Sequence, residues 1–283
     1  MPTYNTPNPI DLAINVQVGR VDIIGSDRSD TVVTVSPSSS TKAIDRRGVE
    51  QTKITFDEER LSIIGPKPRI SWIGSGPYES VDVKVELPAG SRLAVELAVG
   101  NVRTSGRLGA TRIKASTGTV DVDTTGDLWL RAGHGGTTVG KVDGGADITA
   151  AYGQIRIGSV SGDALLKSSY GGIQIGQSGG DIEAKLSYGD LEITKALASV
   201  TAKTAFGDIH LDEVSSGTIQ VDSGYGQMLI GVKAGAPVWL DLSSKVGHVR
   251  NELAEDNAPK PTEATVSVRA RTQGGDITIQ RAR

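Results

Sequence analysis

Apolar and polar residues alternate with a period of two along most of the chain. The segments "SSYGGIQIG" (168–176), "LSYGDLEIT" (186–194) and "TAFGDIHLD" (204–212) show the pattern: an aromatic residue, a glycine, and then an apolar–polar–apolar triplet. Successive side chains of a β-strand point to opposite faces, so this alternation predicts strands with one buried face. No segment shows a sustained helical spacing of apolar residues, and no helix is predicted.

The glycine of this phrase recurs at nearly constant intervals, with spacings of 18, 17, 18, 18, 18, 18, 19 and 21 residues. Gly19 opens the series before a longer interruption, and Gly275 continues it after an insertion. We call these residues the anchor glycines and expect each to turn a corner with positive φ, where a Cβ atom would clash. The regular series consists of Gly100, Gly118, Gly135, Gly153, Gly171, Gly189, Gly207, Gly226 and Gly247.

Short strands in a repeat of about 18 residues predict an all-β chain folded as a parallel β-solenoid of about eleven coils. Equivalent strands of successive coils would then stack about 4.8 Å apart, with like side chains above one another. A coil of this length fits a flattened or a triangular cross-section equally well. An antiparallel β-sandwich is the competing fold. A sandwich does not explain why the same register persists through nine consecutive anchor glycines.

The regularity of the series divides the chain into three predicted regions. Residues 1–91 are expected to form irregular coils or a cap, 92–251 the regular solenoid, and 252–283 a loop and a closing coil.

The stretch "GPKPRISWIGSGPYES" (65–80) displays apolar and aromatic side chains on a Gly/Pro loop. Because exposed aromatic residues dominate many binding surfaces, this loop is the predicted partner contact, through Ile70, Trp72, Ile73 and Tyr78. The alternative interpretation is that the loop folds back over the end of the solenoid.

An aromatic column precedes the anchor glycines of the central repeats. Stacked rings at strand separation would stabilise the solenoid by ring contacts in addition to their burial. The alternative interpretation is an exposed strip that binds sugars or a partner. The column contains Tyr152, Tyr170, Tyr188, Phe206 and Tyr225.

Composition narrows the functional classes. The net charge is −3, which gives no overall attraction to nucleic acid, and the absence of cysteine excludes thiol chemistry and disulfides. No apolar run approaches the roughly 18 residues of a membrane span, and the N-terminal sequence lacks the pattern of a secretory signal. We therefore expect a cytoplasmic chain without a membrane span and without a nucleic-acid partner.

Sites for chemistry were sought among the polar columns. The segment "GQSGG" at 176–180 matches the G-x-S-x-G pattern of a nucleophile elbow. That elbow requires a helix after the serine, and no helix is expected after Ser178. The three histidines fall in three different columns, so neither a metal nor a cofactor is predicted. Asp190 and Asp208 follow successive anchor glycines and should stack about 5 Å apart, a spacing used by retaining glycosidases. Small polar residues occupy the same column elsewhere, which favours a turn role for both aspartates.

A basic column lies four residues before the anchor glycines. It contains Lys114, Arg131, Lys167, Lys185 and Lys203. Binding of phosphate or of an acidic polymer is conceivable there. A solvated face that discourages sheet-to-sheet aggregation is the preferred interpretation, since acidic residues outnumber these cations elsewhere and no aromatic residue interleaves in the column.

Residues 81–109, "VDVKVELPAGSRLAVELAVGNVRTSGRLG", and the following "STGTVDVDTTGDLWLRAGHG" resemble the bacterial β-strand-repeat family labelled putative adhesin. A strand ending in "LP.G", followed by alternating "SG.V.V" and "GDL.L" phrases, is typical of that family. The resemblance covers 80–283 strongly and 10–80 loosely. It implies a repetitive β-solenoid with a non-enzymatic scaffold or binding role, in some relatives associated with envelope stress, and it carries over no catalytic residue.

The sequence thus predicts a non-enzymatic scaffold that binds an unidentified protein partner through end loops or a solenoid face. Two alternatives stay open. The first is a cytoskeletal-type β-helix that self-associates at its ends into polymers. The second is a polysaccharide-binding or polysaccharide-cleaving β-helix that uses Asp190 and Asp208.

The predicted contact loop can be tested with Trp72→Ala. Because the aromatic ring is expected to contact the partner and not the core, the variant should retain severalfold less partner in affinity co-purification from the native source. Its thermal unfolding midpoint should stay unchanged. Equal recovery of the partner, or a lowered midpoint, would contradict the assignment of this loop.

Overall fold

The computed structural model describes residues 2–66, 70–71, 74–75, 79–253 and 265–282. The chain divides into two compact units, Met1–Gly140 and Lys141–Arg283, and strand β13 (Thr137–Val142) includes the boundary. Each unit is built from stacked parallel coils, which confirms the predicted all-β solenoid.

Unit 1 contains one helix among its described residues, α1 (Ala43–Gln51). Its strands before the first regular coil are β1 (Thr3–Asn5), β2 (Asp11–Ser26), β3 (Asp30–Pro37), β4 (Lys53–Asp57), β5 (Arg60–Ile64), β6 (Ile70–Ser71), β7 (Gly74–Ser75) and β8 (Val81–Pro88). The regular coils follow as β9 (Arg92–Ser105), β10 (Thr111–Thr117), β11 (Val120–Thr125) and β12 (Leu128–His134).

Unit 2 continues with β14 (Ala146–Tyr152), β15 (Ile155–Val160), β16 (Ala164–Tyr170), β17 (Ile173–Ser178), β18 (Ile182–Tyr188), β19 (Leu191–Ala196), β20 (Val200–Phe206) and β21 (Ile209–Val214). Its remaining described strands are β22 (Gly217–Tyr225), β23 (Met228–Val232), β24 (Val238–Ser244), β25 (Val249–Asn251), β26 (Val266–Gly274) and β27 (Ile277–Arg281).

Each regular coil of unit 2 contributes two strands, one on either side of an anchor glycine. β14 leads through Gly153 into β15, and the turn 161–163 then returns the chain to β16, one layer further on. Equivalent strands pair in parallel, so that Ile148 lies beside Leu166 and Ile155 beside Ile173. These four side chains are fully buried, and the inward columns form one continuous apolar core within the unit.

The anchor glycines adopt the predicted positive φ, for example +142° at Gly189 and +148° at Gly207. An added Cβ atom at Gly207 would lie 2.1 Å from the carbonyl oxygen of Gly189. Backbone therefore packs directly on backbone at this corner, and both the conformation and the space require glycine.

Helix α1 differs from the sequence prediction, which contains no helix. Its buried positions are Asp45 and Gly48, not an apolar stripe. The Asp45 carboxylate accepts hydrogen bonds from the backbone N–H groups of Ser39 and Ser80, at 3.2 and 3.1 Å. A helix held by a buried carboxylate and a close glycine contact has no hydrophobic periodicity by which a sequence pattern could reveal it.

The order of coils in unit 1 also differs from the order in the sequence. β2 pairs with β9 in register, with Gly19 opposite Gly100, and its other edge pairs with β5 and β8. The first long strand of the chain is therefore enclosed between two other coils. Beyond it, β4 and β3 add in antiparallel orientation, so the parallel stacking does not continue at this edge.

The same inversion occurs in unit 2. The sequence order predicts that the final segment closes the stack, but β26 lies between β22 and β24, and β27 between β23 and β25. Every inward side chain of this inserted coil is fully buried, whereas the next coil carries Asn251 in an inward column and leaves Val249 44% exposed. Burying an amide without partners is costly, so the coil with asparagine occupies the layer beyond the inserted one.

The glycine corner predicts a large loss of stability for Gly207→Ala. The methyl group meets a carbonyl oxygen in a conformation that alanine disfavours, so the free energy of unfolding should fall by about 3 kcal/mol. Gly136→Ala is the matched control, because an added Cβ there meets nothing within 4 Å. Urea unfolding of both variants measures the difference. Similar stability of the two proteins would show that the corner tolerates a side chain.

Candidate functional site

The predicted contact loop lies largely outside the described residues. Trp72, Ile73 and Tyr78 fall outside them, and Ile70 belongs to β6, whose backbone pairs in antiparallel orientation with β7. The role of these four residues in binding stays a prediction.

Asp190 and Asp208 occupy adjacent coils, since the residues that follow them, Leu191 and Ile209, pair directly. The Asp190 carboxylate accepts a hydrogen bond from the backbone N–H of Asp208 at 2.8 Å, and Asp208 accepts one from Gln227 at 2.7 Å. Asn101 accepts the same bond from Thr119 in unit 1. At these three positions the column connects one coil to the next through side chain and backbone, which is a structural use of the two carboxylates.

A further aspartate of this column, Asp276, connects the inserted coil to its neighbour. It accepts a hydrogen bond from the backbone N–H of His248 at 2.8 Å, and Arg250 lies 3.7 Å away. The hydrogen bond, together with the nearby positive charge, holds the pKa of Asp276 below its ordinary value. Among the described residues no group of three or more His, Asp or Glu side chains could hold a metal ion.

The aromatic column forms a continuous stack in unit 2. Neighbouring ring centroids lie 4.9–5.4 Å apart, and the ring planes differ by 3–10°. The rings are nevertheless about half exposed, from 45% at Phe206 to 57% at Tyr225. The expected stacking is confirmed, but the expected burial is wrong.

The exposure has a local cause. Regular alternation along the strand would direct each ring inward. The residue before each ring, such as Ala151 or Ser169, has no partner in the parallel pairing of the strands. The alternation of buried and exposed positions breaks there, and the ring lies on the surface. Consecutive rings cover one another's faces, so the stack exposes ring edges.

A row of lysines runs parallel to the ring stack, three residues earlier in each coil. Lys167, Lys185 and Lys203 are exposed and lie opposite one another in the pairing. Lys185 contacts Glu183 at 2.5 Å, and this ion pair lowers the pKa of the Glu183 carboxyl. The outward residues between lysines and rings are small, namely Ser169, Ser187 and Ala205. We call the rings, these lysines and the small residues between them the aromatic–lysine face.

This face widens into a depression of about 830 Å³ at the inserted coil. The aromatic column is interrupted there by Gly274, which follows Tyr225 in the pairing. Small residues form the floor of the depression, and charged side chains from four neighbouring coils surround it, among them Lys203, Asp222, Asp241, Lys245 and Arg271.

A second surface feature, in unit 1, is absent from the sequence prediction. The guanidinium carbon of Arg112 lies 3.5 Å from the ring centroid of Trp129, and that of Arg131 lies 4.4 Å from it. The basic column itself contains no aromatic residue. The neighbouring outward column, two residues earlier, contains both Arg112 and Trp129.

A sequence model of one family matches residues 10–280. The chain belongs to the Toastrack DUF4097 family. The match covers nearly the whole Toastrack chain described above and confirms the resemblance to the repeat family labelled putative adhesin.

Solved structures similar to this Toastrack chain include two putative adhesins. That from Bacteroides fragilis NCTC 9343 is 12% identical, with a TM-score of 0.42, and the similarity covers 99% of this chain and 95% of the other. That from Parabacteroides distasonis ATCC 8503 is 13% identical, with a TM-score of 0.41 and the same coverage. A search of curated proteins gives no match.

Within the described part of this Toastrack chain, no helix has the length and apolar character needed to cross a bilayer.

The carboxylate column predicts different effects for Asp208→Asn and Asp208→Ala. Asparagine retains the oxygen that accepts the N–H of Gln227, whereas alanine leaves that donor to solvent. The alanine variant should lose about 1 kcal/mol of unfolding free energy and the asparagine variant much less. Urea unfolding measures both. Equal losses would indicate that the charge of Asp208 matters more than its hydrogen bond.

Proposed function

We propose that this chain is a non-enzymatic scaffold that binds an extended, acidic segment of a partner protein along the aromatic–lysine face. The observation that carries the proposal is the row of half-exposed stacked rings beside a row of exposed lysines. Large aromatic side chains with a polar rim are typical of binding hot spots, and an exposed apolar strip of this kind is unusual on a free surface.

The geometry of the rings favours a protein segment over a sugar. Sugars bind aromatic residues through the ring faces, but within this stack the neighbouring rings occupy those faces. The exposed edges form a narrow apolar strip, and the hydroxyl groups of Tyr170 and Tyr188 form no hydrogen bond to described residues. Five rings about 5 Å apart extend over roughly 20 Å, the length of about six residues of extended polypeptide.

Charge complementarity favours an acidic segment. Lys167 and Lys203 form no ion pair with any described residue, and the stacked coils bring them close to Lys185. Glu183 pairs with Lys185, and the carboxylates of a partner would pair with Lys167 and Lys203 on either side of it. The widened depression adds Lys245 at the end of the same face, where Arg271 is paired with Asp241.

The rigid support suits this role. Each ring and each lysine is attached to a strand hydrogen-bonded within the parallel stack, so the face loses little conformational freedom on binding. The loop contact through Trp72, predicted from the sequence, is a separate proposed contact in unit 1. A cytoplasmic location, expected from the sequence, is part of the proposal.

Enzymatic and polymer-forming roles have less support. The carboxylate pair considered for glycan cleavage is engaged by backbone N–H groups. Polymerisation through in-register parallel coils would require a free parallel edge in unit 1 as well as in unit 2. In unit 1 the antiparallel strands β3 and β4 occupy that edge.

The proposal predicts a selective loss of binding in the double variant Lys167→Glu/Lys203→Glu. Reversing both charges should repel an acidic segment, so immobilised variant protein should retain at least tenfold less partner from a lysate of the native source. Quantitative mass spectrometry of the retained proteins measures the effect. Tyr188→Ala should also reduce retention, because it removes one ring without changing the charge.

Lys233→Glu is the matched control, since it reverses an exposed lysine outside the face. It should retain the partner as the unmodified chain does, and thermal unfolding should show that all variants are folded. Undiminished retention by the double variant, or an equal loss in the control, would refute binding at this face.

A further inference from the structure

The outer surface of unit 1 contains a depression of about 450 Å³ that crosses five neighbouring parallel strands, β5, β2, β9, β10 and β12. One outward column crosses all five. It has small side chains, Ser62, Ala13 and Ala94, on the first three strands, and then Arg112 and Trp129. The small residues form a floor, and the two large side chains form a wall at one end.

The wall carries a preorganised cation. The Arg112 guanidinium is held 3.5 Å from the centre of the Trp129 ring, and this stacking leaves its N–H groups available around its edge. Arg112 forms no ion pair with any described residue. Arg131 approaches the same ring at 4.4 Å and donates a hydrogen bond to the carbonyl of Leu130.

The second outward column adds to the positive charge. Lys114 lies between Glu96 and Arg131 in the pairing. The Glu96 carboxylate accepts a hydrogen bond from the side-chain amide of Asn15 at 3.2 Å. Three cations and one carboxylate therefore line the depression, although the chain as a whole is slightly acidic.

The opposite end of the depression is apolar. Ile64, on β5, is 46% exposed and lies in the same outward column as Lys114. An exposed isoleucine, a floor of small residues and a tryptophan wall provide apolar contact area. The volume lies within the usual range for small-molecule sites, which combine an apolar lining with a few polar groups that fix orientation.

We propose that this depression, the Arg–Trp site, binds a small carboxylate that carries a compact apolar group. The Arg112 guanidinium pairs with the carboxylate through two parallel N–H···O bonds, and Lys114 adds a third charged donor. The apolar group lies over the small-residue floor against Trp129 and Ile64. Arg112 and Lys114 thus select for charge, and the floor and Ile64 for size.

Fluorescence of Trp129 provides a direct test in the full-length Trp72→Phe/Trp239→Phe chain, where Trp129 is the remaining tryptophan. Titration with sodium hexanoate should give a saturable change in emission. Hexan-1-ol, which has the same apolar body without the charge, should bind at least tenfold more weakly. Inorganic phosphate, which has charge without an apolar body, should also bind at least tenfold more weakly.

Charge-removing variants test whether hexanoate binds at this site. Isothermal calorimetry measures its affinity without depending on tryptophan emission. Arg112→Gln should weaken hexanoate binding at least tenfold, whereas Arg103→Gln, an exposed arginine of the same unit outside the depression, should leave it unchanged. Lys114→Gln serves as the variant if Arg112→Gln lowers the thermal unfolding midpoint.

Three results would overturn the proposal. The first is the absence of saturable hexanoate binding. The second is hexan-1-ol or phosphate binding as tightly as hexanoate, which would mean an apolar surface or an adventitious ion only. The third is unchanged hexanoate affinity in a folded charge-removing variant.

Discussion

Contact between consecutive anchor glycines is the constraint on which the rest of the structure depends. An added Cβ atom would fall 1.6 Å from a carbonyl oxygen at Gly100 and 2.4 Å from one at Gly189, so backbone atoms of adjacent coils approach as closely as the chain allows. This contact fixes where each coil bends and sets the register between coils. Once the register is fixed, every other column of side chains follows, including the core, the ring stack and the row of lysines.

The repeat makes much of this architecture predictable from the sequence. The alternation of Ile148 with its polar neighbours gives the strand and its buried face, and the spacing of the glycines gives the stacking partner. The spatial order of the coils is harder to predict from the sequence. Coils with equal columns can replace one another without loss of register, so the pattern does not distinguish the sequence order from the inserted positions of β2 and β26. The difference depends on the few positions where a coil departs from the pattern, such as Asn251.

The candidate sites show the same division between what repeats and what does not. The ring stack was predicted because Tyr170 and Tyr188 occupy one column, but its exposure depends on a break in the alternation at Ser169 and Ser187, which the parallel pairing omits. The Arg–Trp site requires Arg112 and Trp129 on adjacent coils and small residues on strands brought together by the enclosed position of β2. The site is formed by two columns together, and the order of the coils determines which residues become its floor.

The enclosed positions of β2 and β26 affect how the chain responds to force. Each of these strands is hydrogen-bonded along both edges, to β9 and to β5 and β8 in unit 1, and to β22 and β24 in unit 2. Tension applied ahead of β2 acts on a strand paired along both edges, and tension applied beyond β27 acts on a strand paired with both β23 and β25. Two ladders of hydrogen bonds therefore hold each of these strands. Unravelling one coil at a time from an outer layer is therefore not the path by which tension at either point would take the fold apart.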